Sequence, residues 1–195
     1  MRGHKQDRIL RALLTEDKIL SKNELSKKAE CSRQWIILFL RKLEKQGLIK
    51  NTKILNKTKL LNYWLNIYKK PKKYREYMIR NPIKLLNKTK LDYAVTTYYA
   101  ENFLQKYLFP SRLDFYIKEE DLEIWHKLLT EKGALYGKGN VRIIITDHHV
   151  MYKKRKIKKL TIVNLPQLII DLYKEGGPAE EAAEMLIKKL KENVS

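Results

Sequence analysis

The sequence predicts an α+β fold in two parts, a small helical module followed by a larger domain in which strands and helices alternate. Three observations predict it. Positive charge is lopsided: residues 1–90 hold 25 Lys and Arg against 7 Asp and Glu, about +18, whereas residues 91–195 hold 17 against 15, about +2. Two short helical patterns joined by a tight turn end in Gly47-Leu48-Ile49. From Leu91 onward, β-branched and alternating runs are separated by amphipathic ones, the pattern of strands set between helices. The expected division is 1–55 for the helix-turn-helix module, 56–90 for a helical connector with a basic linker, and 91–195 for a C-terminal α/β domain.

Composition bounds the rest. A chain of 195 residues with 44% apolar content can build one large core or two small ones. The longest apolar run, Trp35–Leu40, falls far short of the roughly 18–20 residues of a membrane span. The basic start MRGHKQDR has no apolar stretch behind it and does not read as a signal peptide. A single cysteine, Cys31, excludes an internal disulfide and a cysteine-based zinc site. A cytoplasmic protein with no membrane partner is expected. An excess of cations confined to one half is the footprint of a polyanion-binding module, and nucleic acid is the expected polyanion. An anionic membrane surface is the weaker reading, because no long amphipathic anchor accompanies the charge.

Element by element, Ile9, Leu10, Leu13 and Leu14 place one apolar face on a helix over Gln6–Thr15. Ile19-Leu20 reads as a short strand or a buried turn. Ser21 or Asn23 can cap a helix over Glu24–Ala29, with Leu25 and Ala29 inward. Ser32 caps the next helix, Arg33 to about Gln46, which stops at Gly47, a residue suited to the left-handed position after a helix. Leu48-Ile49-Lys50 reads as a strand and Lys50–Leu55 as a weak strand or wing. Leu60, Leu61, Trp64, Leu65 and Tyr68 set a helix over Lys57–Tyr68. The run Lys69-Lys70-Pro71-Lys72-Lys73 reads as a linker that contacts phosphate or is merely solvated, and Tyr74–Arg80 as a short helix or strand. Further on, a helix is expected over Tyr93–Tyr107, strands over Arg112–Ile117 and Val141–Thr146, and a helix over Asp121–Thr130. Gly133–Asn140 reads as a loop and Met151–Lys159 as a basic bridge or hairpin edge, with a short strand over Leu160–Val163. Two helices, Gln167–Lys174 and Ala179–Lys191, close the chain, split by Gly176-Gly177-Pro178.

The run Leu43-Glu-Lys-Gln-Gly-Leu-Ile49, behind two helices and a tight turn, resembles the winged helix-turn-helix of many bacterial and archaeal regulators. That resemblance implies that Ile36, Leu40 and Leu43 point inward. It places Ser32, Arg33, Gln34 and Trp35 at the end of the recognition helix that meets base edges. Arg and Gln suit that position because each makes bidentate bonds, to guanine and adenine respectively. Lys27, Lys28, Arg41, Lys42, Lys45, Lys50 and Lys53 would face phosphate. The departure is Ile37-Leu38-Phe39, where polar residues are usual. These three need another surface: the second domain, a partner copy in a homodimer, or thymine methyl groups.

The C-terminal half resembles the C-terminal domain of AbiEi-type antitoxins of type IV toxin–antitoxin systems and related archaeal regulators. The resembling runs are Tyr93–Ala100, Phe109–Ile117, Leu122–His126, Thr161–Leu172 and Ala179–Ile187. The resemblance implies a degenerate nucleotidyltransferase-like fold, an autorepressor bound to double-stranded DNA, and a cognate toxin as protein partner.

A nucleotidyltransferase-like enzyme acting on RNA or protein is the alternative, so the sequence is asked for the chemistry. Metal-dependent transfer needs paired carboxylates and a Gly-Ser cradle. The chain has no Gly-Ser, and two residues beyond Asp114 stands Tyr116 rather than a second acid. Glu119-Glu120-Asp121 sits where a helix begins, where acids compensate the helix dipole. Asp147, His148 and His149 lack a spaced further ligand, the two histidines being expected on opposite faces of a strand. Gly137-Lys138-Gly139 lacks the frame of a phosphate loop. No enzymatic activity, metal or cofactor is expected. Tyr93, Tyr98, Tyr99 and Tyr107 read as core or partner contacts rather than a base-stacking platform.

Overall fold

The structure, a computed structural model, describes residues 2–192; residue 1 and residues 193–195, at the ends of the first and third expected segments, lie outside them. Helix α1 (Arg2–Thr15) is followed by α2 (Lys22–Lys28), α3 (Arg33–Lys45), a hairpin of β1 (Ile49–Lys50) and β2 (Lys53–Ile54), and α4 (Lys57–Ile67). Ile19-Leu20 forms no strand; Leu20 plugs a buried turn while Ile19 stays exposed. Ser21 rather than Asn23 caps α2, in a reciprocal pair: Ser21 Oγ accepts from the Glu24 amide at 3.1 Å, and Glu24 accepts from the Ser21 amide at 2.8 Å. Ser32 caps α3 through the Trp35 amide at 3.4 Å. At the other end of α3, Gly47 takes φ 65°. Its amide then donates to Glu44 O at 2.8 Å and that of Leu48 to Leu43 O at 3.1 Å, which satisfies two otherwise unpaired carbonyls.

The second part is built on a seven-stranded mixed sheet. Its strands are β3 (Tyr74–Met78), β4 (Ala94–Thr96), β5 (Leu113–Ile117), β6 (Leu135–Tyr136), β7 (Val141–Ile145), β8 (Arg155–Ile157) and β9 (Leu160–Ile162), in the spatial order β6-β3-β7-β5-β4-β9-β8. β5 pairs parallel to β7 over five residues and antiparallel to β4; β4 runs parallel to β9. The helices are α5 (Pro82–Leu86), α6 (Thr97–Leu104), α7 (Leu122–Glu131), α8 (Leu165–Glu175) and α9 (Pro178–Glu192). All five residues of β5 are buried, so both faces of the sheet are covered. Phe115 meets Trp125 of α7 with ring centroids 5.0 Å apart. Tyr116, on the opposite face, donates to Asp171 of α8 at 2.9 Å.

Three local expectations are corrected and one alternative is resolved. The helix expected over Tyr93–Tyr107 begins only at Thr97: Ala94–Thr96 is drawn into the sheet between β5 and β9, and Thr97 takes a left-handed φ of 51° where the chain turns from strand to helix. The loop expected over Gly133–Asn140 contains the short edge strand β6, paired with β3. His148 and His149 sit not on a strand but on a 3₁₀ turn, His148–Met151. Tyr74–Arg80 resolves to strand, because Tyr74–Tyr77 pair with Ile144–Val141. The basic bridge after Met151 does contain a hairpin, β8 to β9.

The two parts share one hydrophobic core. Helices α1 and α4 pack on α8, with Trp64 of α4 fully buried and its indole N–H donating to Asp7 of α1 at 2.8 Å. Phe39, one of the three surplus apolar residues of α3, is buried next to Tyr63 of α4, centroids 6.4 Å apart. Burial of side chains this size contributes about 2–3 kcal/mol each, so the connector helix is structural.

One glycine is dictated by packing. A Cβ on Gly139 would lie 2.2 Å from the carbonyl oxygen of Tyr77 in β3. Gly139→Ala is expected to destabilise the fold by about 1–3 kcal/mol, read as a lower midpoint in urea unfolding; an unchanged midpoint would contradict this packing.

Candidate nucleic-acid interface

Helix α3 owes its orientation to its apolar side. Ile36, Phe39, Leu40 and Leu43 are buried, which turns Arg33, Gln34, Leu38, Arg41, Lys42 and Lys45 outward. The single acid of the helix, Glu44, is half-buried and drawn aside: it accepts the Asn51 amide at 2.5 Å and so holds the tip of the β1–β2 hairpin, where Asn51 has φ 56°. In the hairpin Lys50 and Lys53 are register partners and both are exposed. Among the described residues no ion pair engages Arg33, Arg41, Lys42, Lys45, Lys50 or Lys53. These cations, with the first-turn residues Ser32, Arg33 and Gln34, form one solvent-facing strip along α3 and onto the hairpin.

Other expected contacts are placed elsewhere. Trp35 is half-buried against the start of α1, with the Lys5 ammonium 5.6 Å from its ring centroid. Lys27 is exposed on α2, but Lys28 is half-buried and bound to Glu16 at 3.0 Å. Of the basic linker, Lys70 pairs with Glu175 at 2.5 Å and Lys73 pairs with Glu119, so those two charges are neutralised within the chain. Of the surplus apolar residues, Phe39 is inside, Ile37 is half-buried, and Leu38 remains 59% exposed in the middle of the outward face.

A second polar concentration lies between the two parts, and pattern reading missed it. Gln167, Asp171 and Glu175 recur every four residues along α8 and make one stripe facing Thr96, Asp114 and Tyr116 of the sheet. Asp171 accepts from Thr96 at 2.5 Å, Gln167 at 2.7 Å and Tyr116 at 2.9 Å. Burial nonetheless pushes its carboxyl up to about 6. Arg11 of α1, only 3% exposed, donates to Gln167 at 2.8 Å and meets His149 Nδ1 at 2.9 Å. Burial lowers the Arg11 pKa, and burial together with Arg11 holds His149 down to about 4. His149 stacks on Tyr152 at 4.8 Å, while His148 is exposed and bonds Glu30 at 2.7 Å. The i, i+4 spacing of the α8 acids was visible in the sequence; the residues they meet come from distant segments and were not.

Asp114 has both carboxylate oxygens engaged. Arg112 binds them at 2.6 and 2.8 Å, and Thr97 donates to Oδ2 at 2.6 Å. Arg112 continues to Glu175 at 2.7 Å, and its hydrogen bond to Asp114 raises the guanidinium pKa further. The recess beside this pair has a volume of about 40 Å³. Among the described residues no group of three or more His, Cys, Asp or Glu is placed to hold a metal ion. No helix of the described residues is long and apolar enough to cross a membrane. A scan against protein-family models finds no match, and searches of curated proteins and of solved structures find none either.

Proposed function

We propose that the chain is a sequence-specific, double-stranded DNA-binding regulator, cytoplasmic, and of the antitoxin-like autorepressor kind. One observation carries the DNA reading: the outward strip that runs from Arg33 and Gln34 at the start of α3, along Arg41, Lys42 and Lys45, to Lys50 and Lys53 of the hairpin, in which no cation has an acidic partner among the described residues. In this reading α2, α3 and the hairpin are a winged helix-turn-helix. Gln34 and Arg33 read base edges from the first turn of α3, and Arg41, Lys42, Lys45, Lys50 and Lys53 hold phosphates. Lys28 and Trp35 serve the fold instead.

The C-terminal domain is read as a degenerate nucleotidyltransferase-like body that binds a protein partner, the cognate toxin. The order β4–α6–β5 with Asp114 on β5 supports that reading, as does the resemblance of its segments to AbiEi-type domains. The enzymatic alternative requires Asp114 to release two strong donors before it can serve a metal ion, with Tyr116 in place of a second acid.

The test of DNA binding is a selection of bound duplexes from a random pool, followed by affinity measurement against salt. Five to six phosphate contacts predict a log–log salt slope of about −5. Lys50→Ala and Lys53→Ala are each expected to weaken binding to all duplexes alike and to flatten the slope by about 1. A salt-independent affinity, or no enrichment over random duplex, rejects the reading. For the partner, co-expression with the product of the adjacent gene is the measurement; failure to co-purify removes the antitoxin role and leaves DNA binding standing.

A further inference from the structure

A recess of about 510 Å³ lies between the end of β3, α5 and the C-terminal end of α7. Its size is that of a small-molecule site. It opens on the α7 side of the sheet, the side of Phe115 and Trp125, opposite the face that α8 and the N-terminal helices cover. Ile79, Leu85 and Leu128 supply an apolar surface, and four cations, Arg80, Lys84, Lys88 and Lys132, stand around it. No carboxylate lines this recess. The larger groove beside α1 differs: its cations are interleaved with Glu30, Glu119, Glu120 and Asp147. Among the described residues none of the four cations has an ion pair. Like charges gathered without a counter-charge repel one another, and an anion that enters relieves the repulsion.

The walls are preformed. The Asn140 side chain accepts from the Ile79 amide at 3.1 Å and donates to the Ile79 carbonyl at 3.0 Å, which pins the end of β3. Gly133, at φ 80°, closes α7 with its amide on Thr130 O at 2.9 Å and that of Ala134 on Leu129 O at 3.0 Å. Asn81, at the head of α5, makes no capping bond with its side chain, so its amide is free to face a ligand.

We propose that this recess binds a nucleotide-sized organic phosphate, its base or other flat body against Ile79, Leu85 and Leu128 and its phosphates among Arg80, Lys84, Lys88 and Lys132. An inorganic anion would leave the apolar surface unused, and an apolar molecule would leave the cations uncompensated. The site is separate from α3 and does not depend on DNA binding.

Calorimetric titration of the full chain with ATP, GTP, AMP, adenosine and pyrophosphate at near-physiological salt tests it. The expected result is saturable one-to-one binding of at least one of the nucleotides, with adenosine and pyrophosphate each at least tenfold weaker. A Lys84→Glu, Lys88→Glu double variant, both positions exposed, should weaken that nucleotide at least tenfold. An Arg41→Ala, Lys45→Ala variant on α3 should leave it unchanged. Three outcomes overturn the proposal: no saturable nucleotide binding, pyrophosphate as tight as the best nucleotide, or equal loss in the α3 variant, which would mark non-specific polyanion binding. Tighter binding of a Glu-rich peptide that displaces the nucleotide would assign the recess to a protein instead.

Discussion

Replacement of Arg41 and Lys45 by alanine together is expected to lower affinity for every duplex by roughly 60-fold at 0.1 M salt. Each side chain is exposed and unpaired, and each neutralises one phosphate in the proposed complex. One phosphate contact contributes about 0.9 to the salt slope, so two flatten it by about 1.8, and that same factor sets the affinity lost at 0.1 M. Alanine is the best helix former, and neither side chain joins the core, so the fold is expected to stay intact. Gln34→Ala should behave differently. Affinity for a mutated site should match that for the preferred site at one base pair, a loss of about 1–3 kcal/mol of discrimination with the salt slope unmoved. Competition assays on selected and singly mutated duplexes separate the two classes. If Arg41→Ala, Lys45→Ala binds as tightly as the parent chain, α3 does not lie along the phosphates.

The second large effect concerns the buried contact between the two parts. Asp171 is raised from near 3.8 to about 6 by burial, so its contribution to stability is fully present below about pH 4 and is lost as pH rises through 6. His149 is lowered from 6.5 to about 4 by burial beside Arg11, so its contribution is present above 6.5 and is lost as pH falls toward 4. Each spans roughly 3 kcal/mol, and the two run in opposite directions over the same window. The parent chain is therefore expected to show little change in stability between pH 4.5 and 6.5. Asp171→Asn removes the falling arm, and stability should then climb by roughly 2 kcal/mol across that window. His149→Gln should make it descend instead. Glu16, pulled down to about 2 by Tyr152, Lys153 and Lys28 against the opposing effect of burial, acts in a lower window: its contribution, present above 4.5, is lost as pH falls toward 2. Urea unfolding at several pH values reads all three; parallel profiles for Asp171→Asn and the parent would refute the assignment.

The same contact ties the N-terminal helices to the sheet domain. Arg11 joins α1 to α8 through Gln167, Arg8 binds Asp147 at 2.7 and 2.8 Å, and Trp64 closes the core above them. Truncation of Arg11 leaves Gln167 and His149 without their buried donor, at a cost of about 1–3 kcal/mol for each group left unsatisfied.

Much of this molecule can be read along the chain. Ser32 and Gly47 are local signals, and the helix ends they imply are the ones observed, because capping depends on residues within four positions; Ser21, offered beside Asn23, starts α2 at Lys22, two residues before the expected Glu24. Ile36, Leu40 and Leu43 could be assigned inward from spacing alone. The helix expected at Tyr93 failed for the opposite reason. Val95 and Thr96 favour strand, but a run of three residues is too short to stand out from the aromatic spacing that follows it, and it is strand because β5 and β9 lie on either side to accept it.

Local signals thus settle the amphipathic helices with their own caps, such as α3, and which half carries the charge, but neither α5 nor the strand at Ala94–Thr96. Tertiary structure decided which charges remain free. Lys28, Lys70 and Lys73 look like Lys45 and Lys50 in the sequence, and differ only because Glu16, Glu175 and Glu119 are folded against them. It also decided that Asp171, His149 and Arg11, separated by up to 160 positions, share one buried network through Gln167. Coulomb attraction and desolvation depend on distance through space and on the water removed, and neither quantity is written along the chain.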